Sequence, residues 1–562
     1  MTATRSLEGF VRFVDGLIRL VLGRRGGATT MYVRLTLLLI GISTLAATGA
    51  FYVACLIAVH VSLVAYSLLG ATASGHNLPP RADAAVVGGM TATLWCLLVV
   101  VLVEAFDGSA WPVGLLIGLP LGLISGWQVA QWQEAIAWSL APGSLDLGMW
   151  RRGRFFVNRP FTVTAAGRLK HISVQGPTGS GKTTLLKNLI VDDIASGAGV
   201  CVIDPKDNLI DDLLAHVPPA REKDVILFDA TDTEMPLAFN PLAGVSPERR
   251  SVATSELLAV FRRYFADSWG ARLEHILRNA ILALLELPQA TLLDIPRLLL
   301  DRQFTAWALR YVSNPGVREF FEVEYEEVLR RRGDAVEPIL NKVGPWLTYP
   351  ELRGIIDRHE SSFDLREVMD QGKVLLVRIP QGALGEDISS LLGALMVAKI
   401  QLAAHSRVDT PPERRRPFYL YVDEFQNFAT SSFARILTEA RGFGLGLVCA
   451  NQYPEQLSRE LQLALSRNAA TAVQCLHSRG RYRLHITRLE EPRDEDAPPI
   501  VTPAGLLARG DWRQAERIRA LSRAQYGRPQ IEAEALIVAE GPHSNGSVPG
   551  RRARQQADVD EA

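Results

Sequence analysis

The stretch from Val174 to Leu186, VQGPTGSGKTTLL, has the residue types and spacing of a phosphate-binding loop. It fits G-x-x-x-x-G-K-[ST] at Gly176, Gly181, Lys182 and Thr183, after an apolar run and before a leucine-rich helical pattern. Gly176, Gly179 and Gly181 let the backbone curl so that its N–H groups face phosphate oxygens, with Pro177, Thr178, Ser180 and Thr184 completing the cradle. The following helix adds its positive N-terminal dipole. Lys182 would reach the β- and γ-phosphates of ATP, and the Thr183 hydroxyl would ligate Mg2+. The alternative is an ordinary Gly-rich turn, but with eight lysines in the whole chain a chance match is rare.

Binding phosphate is not hydrolysis, which needs further groups. YLYVDEF supplies a carboxylate pair at the end of an apolar run: Asp423 would hold Mg2+, and Glu424 would polarise the attacking water as general base. A solvated acidic pair closing a strand is the competing reading. GLGLVCANQ brings Gln452 to the end of another apolar run, where its amide could sense the γ-phosphate or position water. Arg441, in LTEARGFGLGL, could enter a neighbouring subunit's site as an arginine finger, or cap its own helix; Arg435 and Arg467 are rivals for the finger role.

These groups need a scaffold that gathers strand ends. KHISVQ, GVCVID, DVILFD, KVLLVRIP, FYLYVDE, LGLVCANQ and AATAVQCL are short, β-branched-rich runs bounded by turn residues, the pattern of parallel strands buried on both faces. With helices between them they predict a doubly wound α/β core, the phosphate loop at the carboxyl edge of its first strand. Residues 246–360 interrupt this alternation with helical patterns alone, which predicts an all-helical segment inserted between core parts 150–245 and 361–540. Residues 541–562 are polar and contain Pro and Gly, as a disordered tail would be.

The first 135 residues differ from the rest. Residues 1–30 place Leu7, Phe10, Val14, Leu17 and Val21 on one helical stripe, with Arg5, Arg12 and Arg19 on another face. This suits a cytoplasmic helix lying on anionic lipid, or a partner-binding helix. Residues 31–135 hold apolar runs at 35–69, 86–103 and 112–130, long enough for membrane spans. The first 34 residues carry six Arg against two acidic residues, and RRGRFFVNR at 151–159 follows the last run, so both flanks read as cytoplasmic and the crossings as even in number. Three runs satisfy this if the first is a hairpin or another is re-entrant, the run with Pro120 being the better candidate for irregularity.

Lys+Arg and Asp+Glu both total 60, so net charge points to no polyanionic or acidic partner, and any DNA contact must come from local patches. Three segments could line a DNA channel: RRYF with Arg272 and Arg278, the turn after ANQYPEQL, and HSRGRYR, where Arg479, Arg481 and Arg483 surround Tyr482. The five cysteines (Cys55, Cys96, Cys201, Cys449, Cys475) stand alone in apolar runs and read as small core or lipid-facing residues.

GPTGSGKTT, VIDPKD, AFNPL, LNKVGPWL, GKVLLVRIPQGALGED, YVDEFQNFAT and ANQYPEQL resemble, in that order, blocks of the conjugative coupling proteins of type IV secretion systems, of the FtsK/HerA-like branch. The resemblance spans about residues 165–535. It implies N-terminal transmembrane helices followed by a RecA-like P-loop ATPase domain with an inserted all-α domain. It further implies a multi-pass inner-membrane homohexamer with a cytoplasmic motor that moves DNA, or a relaxase-bound nucleoprotein, toward a secretion channel. On the family pattern the loop residues, Asp423, Glu424, Arg441 and Gln452 match the nucleotide site, the finger and the γ-phosphate sensor. The short polar loop at 70–85 and a first acidic block without a following glycine depart from that pattern. A translocase outside conjugation, a coupling ATPase for protein effectors and a non-hydrolytic recruiting platform are the rival functions. The platform would need none of Glu424, Gln452 and Arg441.

Overall fold

The computed structural model describes residues 144–150, 159–331, 336–430, 433–478, 481–488, 500–502 and 510–528. Expectations for residues 1–30, 31–135 and 541–562, and for Arg479, fall outside them. By contacts the chain divides into Met1–Ala137 and Trp138–Ala562, and the described residues all belong to the second unit.

Its eleven strands form one sheet. They are β1 (Leu145–Trp150), β2 (Arg159–Val163), β3 (Ile172–Gln175), β4 (Gly199–Asp204), β5 (Val225–Asp229), β6 (Val374–Arg378), β7 (Phe418–Val422), β8 (Leu445–Asn451), β9 (Thr471–Ser478), β10 (Arg481–Arg488) and β11 (Ile500–Thr502). The order across the sheet is β2-β1-β11-β10-β9-β3-β8-β7-β4-β6-β5. The seven strands expected from sequence, β3 to β9, are all present and mutually parallel. Beyond β9 the sheet continues antiparallel through β10, β11, β1 and β2, an extension that the apolar runs do not announce.

The apolar runs are continuous because both faces of the parallel part are covered. Along β4, Val200 and Val202 enter one core while Cys201 and Ile203 enter the other, and β7 divides Tyr419 and Tyr421 from Phe418, Leu420 and Val422 in the same way. Six of the described helices reach ten residues: α1 (Lys182–Ala195), α2 (Arg250–Tyr264), α3 (Ala271–Leu284), α4 (Glu386–Ser406), α5 (Arg459–Asn468) and α6 (Trp512–Tyr526). α1 and α6 cover one face through Leu186, Leu189, Ile190 and Ile518. α2, α3, α4 and α5 cover the other. α4 is long and apolar enough to cross a membrane, at mean hydropathy 1.4, but 78% of that stretch is buried, so it packs as a core helix.

Between β5 and β6 every regular element of the described chain is a helix. Its apolar residues, Phe261, Phe265, Leu277 and Trp346 among them, join the core on the α2 face of the sheet without a break. AFNPL, just before this insert, is tied to it: Asn240 Nδ2 donates to Ala290 O and His359 O at 2.9 Å, and Asn240 Oδ1 accepts from Leu242 N within its own turn. Cys201, Cys449 and Cys475 are free and buried, as the apolar context predicts.

Candidate nucleotide site

Parallel pairing brings the carboxyl ends of β3, β8, β7 and β4 side by side, and each carries one part of the site. The loop from Gly176 to Gly181 joins β3 to α1. Gly176 N donates to Asn451 O at 3.3 Å and Ser180 N to Pro177 O at 3.2 Å, which closes the curl. Gly176 has no room for a side chain: a Cβ there would stand 2.6 Å from Ser180 Oγ and 2.7 Å from Cys475 O. Gly181 adopts φ 93°, a left-handed conformation that glycine takes freely. Lys182 begins α1, is buried, and donates its ammonium to Gly176 O and to Pro177 O at 3.2 Å. Burial lowers its pKa, against the raising influence of Glu424 and Asp423 nearby. Thr183 is exposed and Thr184 half-buried on the same helical turn.

Asp423 and Glu424 follow β7 and are both buried. Asp423 N donates to Ile203 O at 3.2 Å, and Glu424 N to Asp423 Oδ1 at 2.9 Å. Glu424 is held at φ 46°, ψ 49°, a left-handed conformation uncommon outside glycine, so the turn carries backbone strain at the proposed base. Around its carboxylate stand Lys206 as an ion pair, Gln426 Nε2 at 2.6 Å and Gln452 Nε2 at 3.2 and 3.4 Å. Burial works to raise the Glu424 carboxyl, but these donors, Lys206 foremost, outweigh it and hold it below the usual glutamate range. Asp423 goes the other way: burial raises it, the Glu424 charge adds to that, and Lys206 opposes. Thr178 Oγ1 donates to Gln452 Oε1 at 3.3 Å, so Gln452 spans from the loop to Glu424. The loop, the acids and Gln452 are thus brought together.

Four further groups here lie in the VIDPKD, YVDEFQNFAT and RRYF stretches but are given no individual role at this site by the sequence. Asp204 ends β4, caps the next turn through Lys206 N at 2.8 Å and Leu209 N at 3.1 Å, and is pushed up to about 6 by burial and the Asp423 charge. Lys206 and Gln426 embrace Glu424. Arg263, near the end of α2, donates to Ala429 O and, at 2.6 Å, to Gln426 O, so the helical insert grips the turn that follows the acids. Arg441 lies on a 3-10 turn before β8, exposed, with no side-chain hydrogen bond or ion pair among the described residues. Arg467 is also exposed on α5, whereas Arg435 is tied to buried Glu256 at 2.7 Å.

Three buried side-chain atoms at these strand ends have no partner among the described residues: Ser180 Oγ, Asp423 Oδ2 and Asn451 Oδ1. Buried polar atoms are rarely left so, and their clustering beside a glycine loop fits a polar ligand. The open carboxylate oxygen of Asp423 and the exposed Thr183 hydroxyl on the first turn of α1 are oxygen donors of the kind that magnesium prefers. A mixed sheet with a glycine loop at one strand end and paired acids two strands away has the layout of a RecA-like nucleotide-binding α/β domain. The sequence profile of the type IV secretion-system coupling protein DNA-binding domain matches residues 162–474, more than half of the 562, and the chain belongs to that family.

Among solved structures, the fold is similar to the bacterial conjugative coupling protein TrwBdeltaN70 in its unbound form (16% identity, 63% of this chain and 89% of that one, TM-score 0.43). It is similar to TrwB in complex with ADP and Mg2+ (16%, 62% and 88%, 0.40). It is also similar to VirB4 of Thermoanaerobacter pseudethanolicus (14%, 60% and 84%, 0.40). At such scores these likenesses carry no functional inference. No curated protein sequence matched the chain.

Proposed function

We propose that the chain is a membrane-anchored ATPase that couples ATP hydrolysis to the movement of DNA or nucleoprotein into a type IV secretion channel. The observation that carries this reading is the bridge of Gln452 between Thr178 on the loop and Glu424 beyond β7, which links a phosphate-binding element to a buried carboxylate. In the proposed reaction the loop N–H groups and Lys182 hold the β- and γ-phosphates. Lys182 leaves its loop carbonyls to do so. Glu424 takes the proton of the attacking water, and Gln452 reports the γ-phosphate to that base. Mg2+ would be held by Thr183 and Asp423, and when bound it neutralises charge on the phosphate oxygens. Arg441, exposed and unpaired among the described residues, would complete a neighbour's site in a ring, most simply a homohexamer. The apolar runs of residues 31–135, flanked by arginine, would tether that ring to the inner membrane with the motor in the cytoplasm. Family membership favours DNA with its relaxase as cargo over a translocase serving other DNA.

The test is ATPase activity of the purified full-length protein with and without single- and double-stranded DNA, over a dilution series. The expected outcome is a specific activity that rises with protein concentration and with DNA, and that Arg441→Ala lowers by about 10³-fold, the size of a lost arginine finger. Full activity in a dilute, demonstrably monomeric sample would exclude completion in trans. No response to either DNA would count against DNA as cargo.

A further inference from the structure

Tyr482 lies on β10, in the hairpin that carries the sheet past β9, and its ring abuts the phosphate loop. A Cβ placed on Gly181 would stand 3.0 Å from Tyr482 Cδ1 and 3.4 Å from Cε1, so the ring comes close against the loop backbone beside α1. His477 is directly opposite on β9 and stacks on the ring, with centroids 4.6 Å apart and planes at 26°. Directly paired residues share one face of a sheet, so strand register fixes this pair as a unit. Tyr482 nonetheless remains 49% exposed. A large aromatic held on one side, open on another and flush with a glycine loop is a stacking surface.

Sheet order says what should reach it. The groups that would receive the γ-phosphate, Glu424 and Gln452, follow β7 and β8 on one side of β3. Tyr482 is on the other side, where the order runs β10-β9-β3. A nucleoside triphosphate with its terminal phosphate near the acids therefore extends its sugar and base toward the β9–β10 hairpin. We propose that Tyr482, backed by His477, is the platform on which the nucleobase stacks, an inference that rests on the phosphate-loop reading above. In sequence Tyr482 reads as a stacking partner for DNA in a channel, and its contact with Gly181 assigns it to the nucleotide instead. A stacked ring accepts any π-face, so the platform holds purines without choosing between them.

Base stacking on an aromatic is worth roughly 1–3 kcal/mol, or about 5- to 150-fold in affinity. The experiment measures binding of ATP, GTP and inorganic tripolyphosphate to the full-length protein, its Tyr482→Ala variant and its Tyr482→Phe variant, alongside DNA affinity. Tyr482→Ala should weaken ATP and GTP alike by that factor and leave tripolyphosphate and DNA unchanged, and Tyr482→Phe should match wild type. Undiminished ATP binding by Tyr482→Ala overturns the platform, as does an equal loss of tripolyphosphate, which would mark a distorted loop. Loss of DNA affinity in place of ATP affinity returns the ring to the nucleic acid and overturns it too. A wild type that binds tripolyphosphate as tightly as ATP overturns the platform and leaves the loop reading standing. One that binds neither overturns both.

Discussion

Glu424 has the burial of a catalytic base and the company of a restrained one. Lys206, Gln426 and Gln452 donate to its carboxylate, Asp423 lies alongside, and Lys182 exerts its charge nearby. A base must be deprotonated to act, and Lys206 keeps Glu424 deprotonated to lower pH than its burial alone would allow. Lys206→Ala should therefore move the acid limb of the kcat/KM profile to higher pH, since that profile reports the free enzyme's base. Superimposable acid limbs in variant and wild type would show that Lys206 does not set the base. Lys206 and Gln426 stand in the VIDPKD and YVDEFQNFAT blocks, yet nothing in the sequence says that they meet Glu424. Lys206 sits in a short DPKD turn with no periodic signal, and what carries it to Glu424 is the pairing of β4 with β7, a non-local fact.

At the scale of elements, the parallel strands are legible because double burial leaves an apolar run that needs no alternation to be read. The antiparallel strands are harder. β10 does alternate, with Tyr482, Leu484 and Ile486 set between Arg483, His485 and Thr487, but the arginines around Tyr482 draw the reading toward a basic surface. β1 and β2 flank a run of arginines that reads as the cytoplasmic flank of the last apolar run. Equally hidden is the buried lock between α1 and β7. Arg168 pairs with Asp193, lies 3.5 Å from the centre of the Tyr419 ring, and Tyr421 Oη donates to Asp193 Oδ2 at 2.6 Å. Removing one partner of such a pair strands a buried charge, so Asp193→Ala should cost about 3–5 kcal/mol in denaturant unfolding. A change below about 1 kcal/mol would mean the site relaxes around Arg168.

Arg263 makes a second connection between elements, from α2 to the carbonyls of the 426–429 turn, and Gln426 passes it on to Glu424. Arg263→Ala should lower kcat while leaving KM for ATP near its wild-type value, because the loop and Lys182 are untouched. Arg263→Lys, which can still reach one carbonyl, should recover part of the loss. An increase in KM with kcat unchanged would place the effect on nucleotide binding and contradict this route.

For the whole molecule, in the proposed ring a chain with zero net charge would grip DNA through local charge repeated from subunit to subunit. Of the basic groups with a claim to that role in sequence, Arg263 is committed to carbonyls and Arg278 to Glu274 at 2.9 Å, whereas Arg272 and Arg483 are exposed and unpaired among the described residues. Neutralising those two should flatten the salt dependence of DNA binding by about one unit of slope per lost phosphate contact and spare basal ATPase. The central claim is that Lys182 and Glu424 divide binding from chemistry, and the most direct test measures ATP affinity and ATP turnover side by side in Lys182→Ala and Glu424→Gln. Lys182→Ala should lose binding, while Glu424→Gln should bind as wild type does and turn over about 10²- to 10⁴-fold more slowly, the usual worth of a general base. Hydrolysis at the wild-type rate in Glu424→Gln, or undiminished ATP binding in Lys182→Ala, would contradict it.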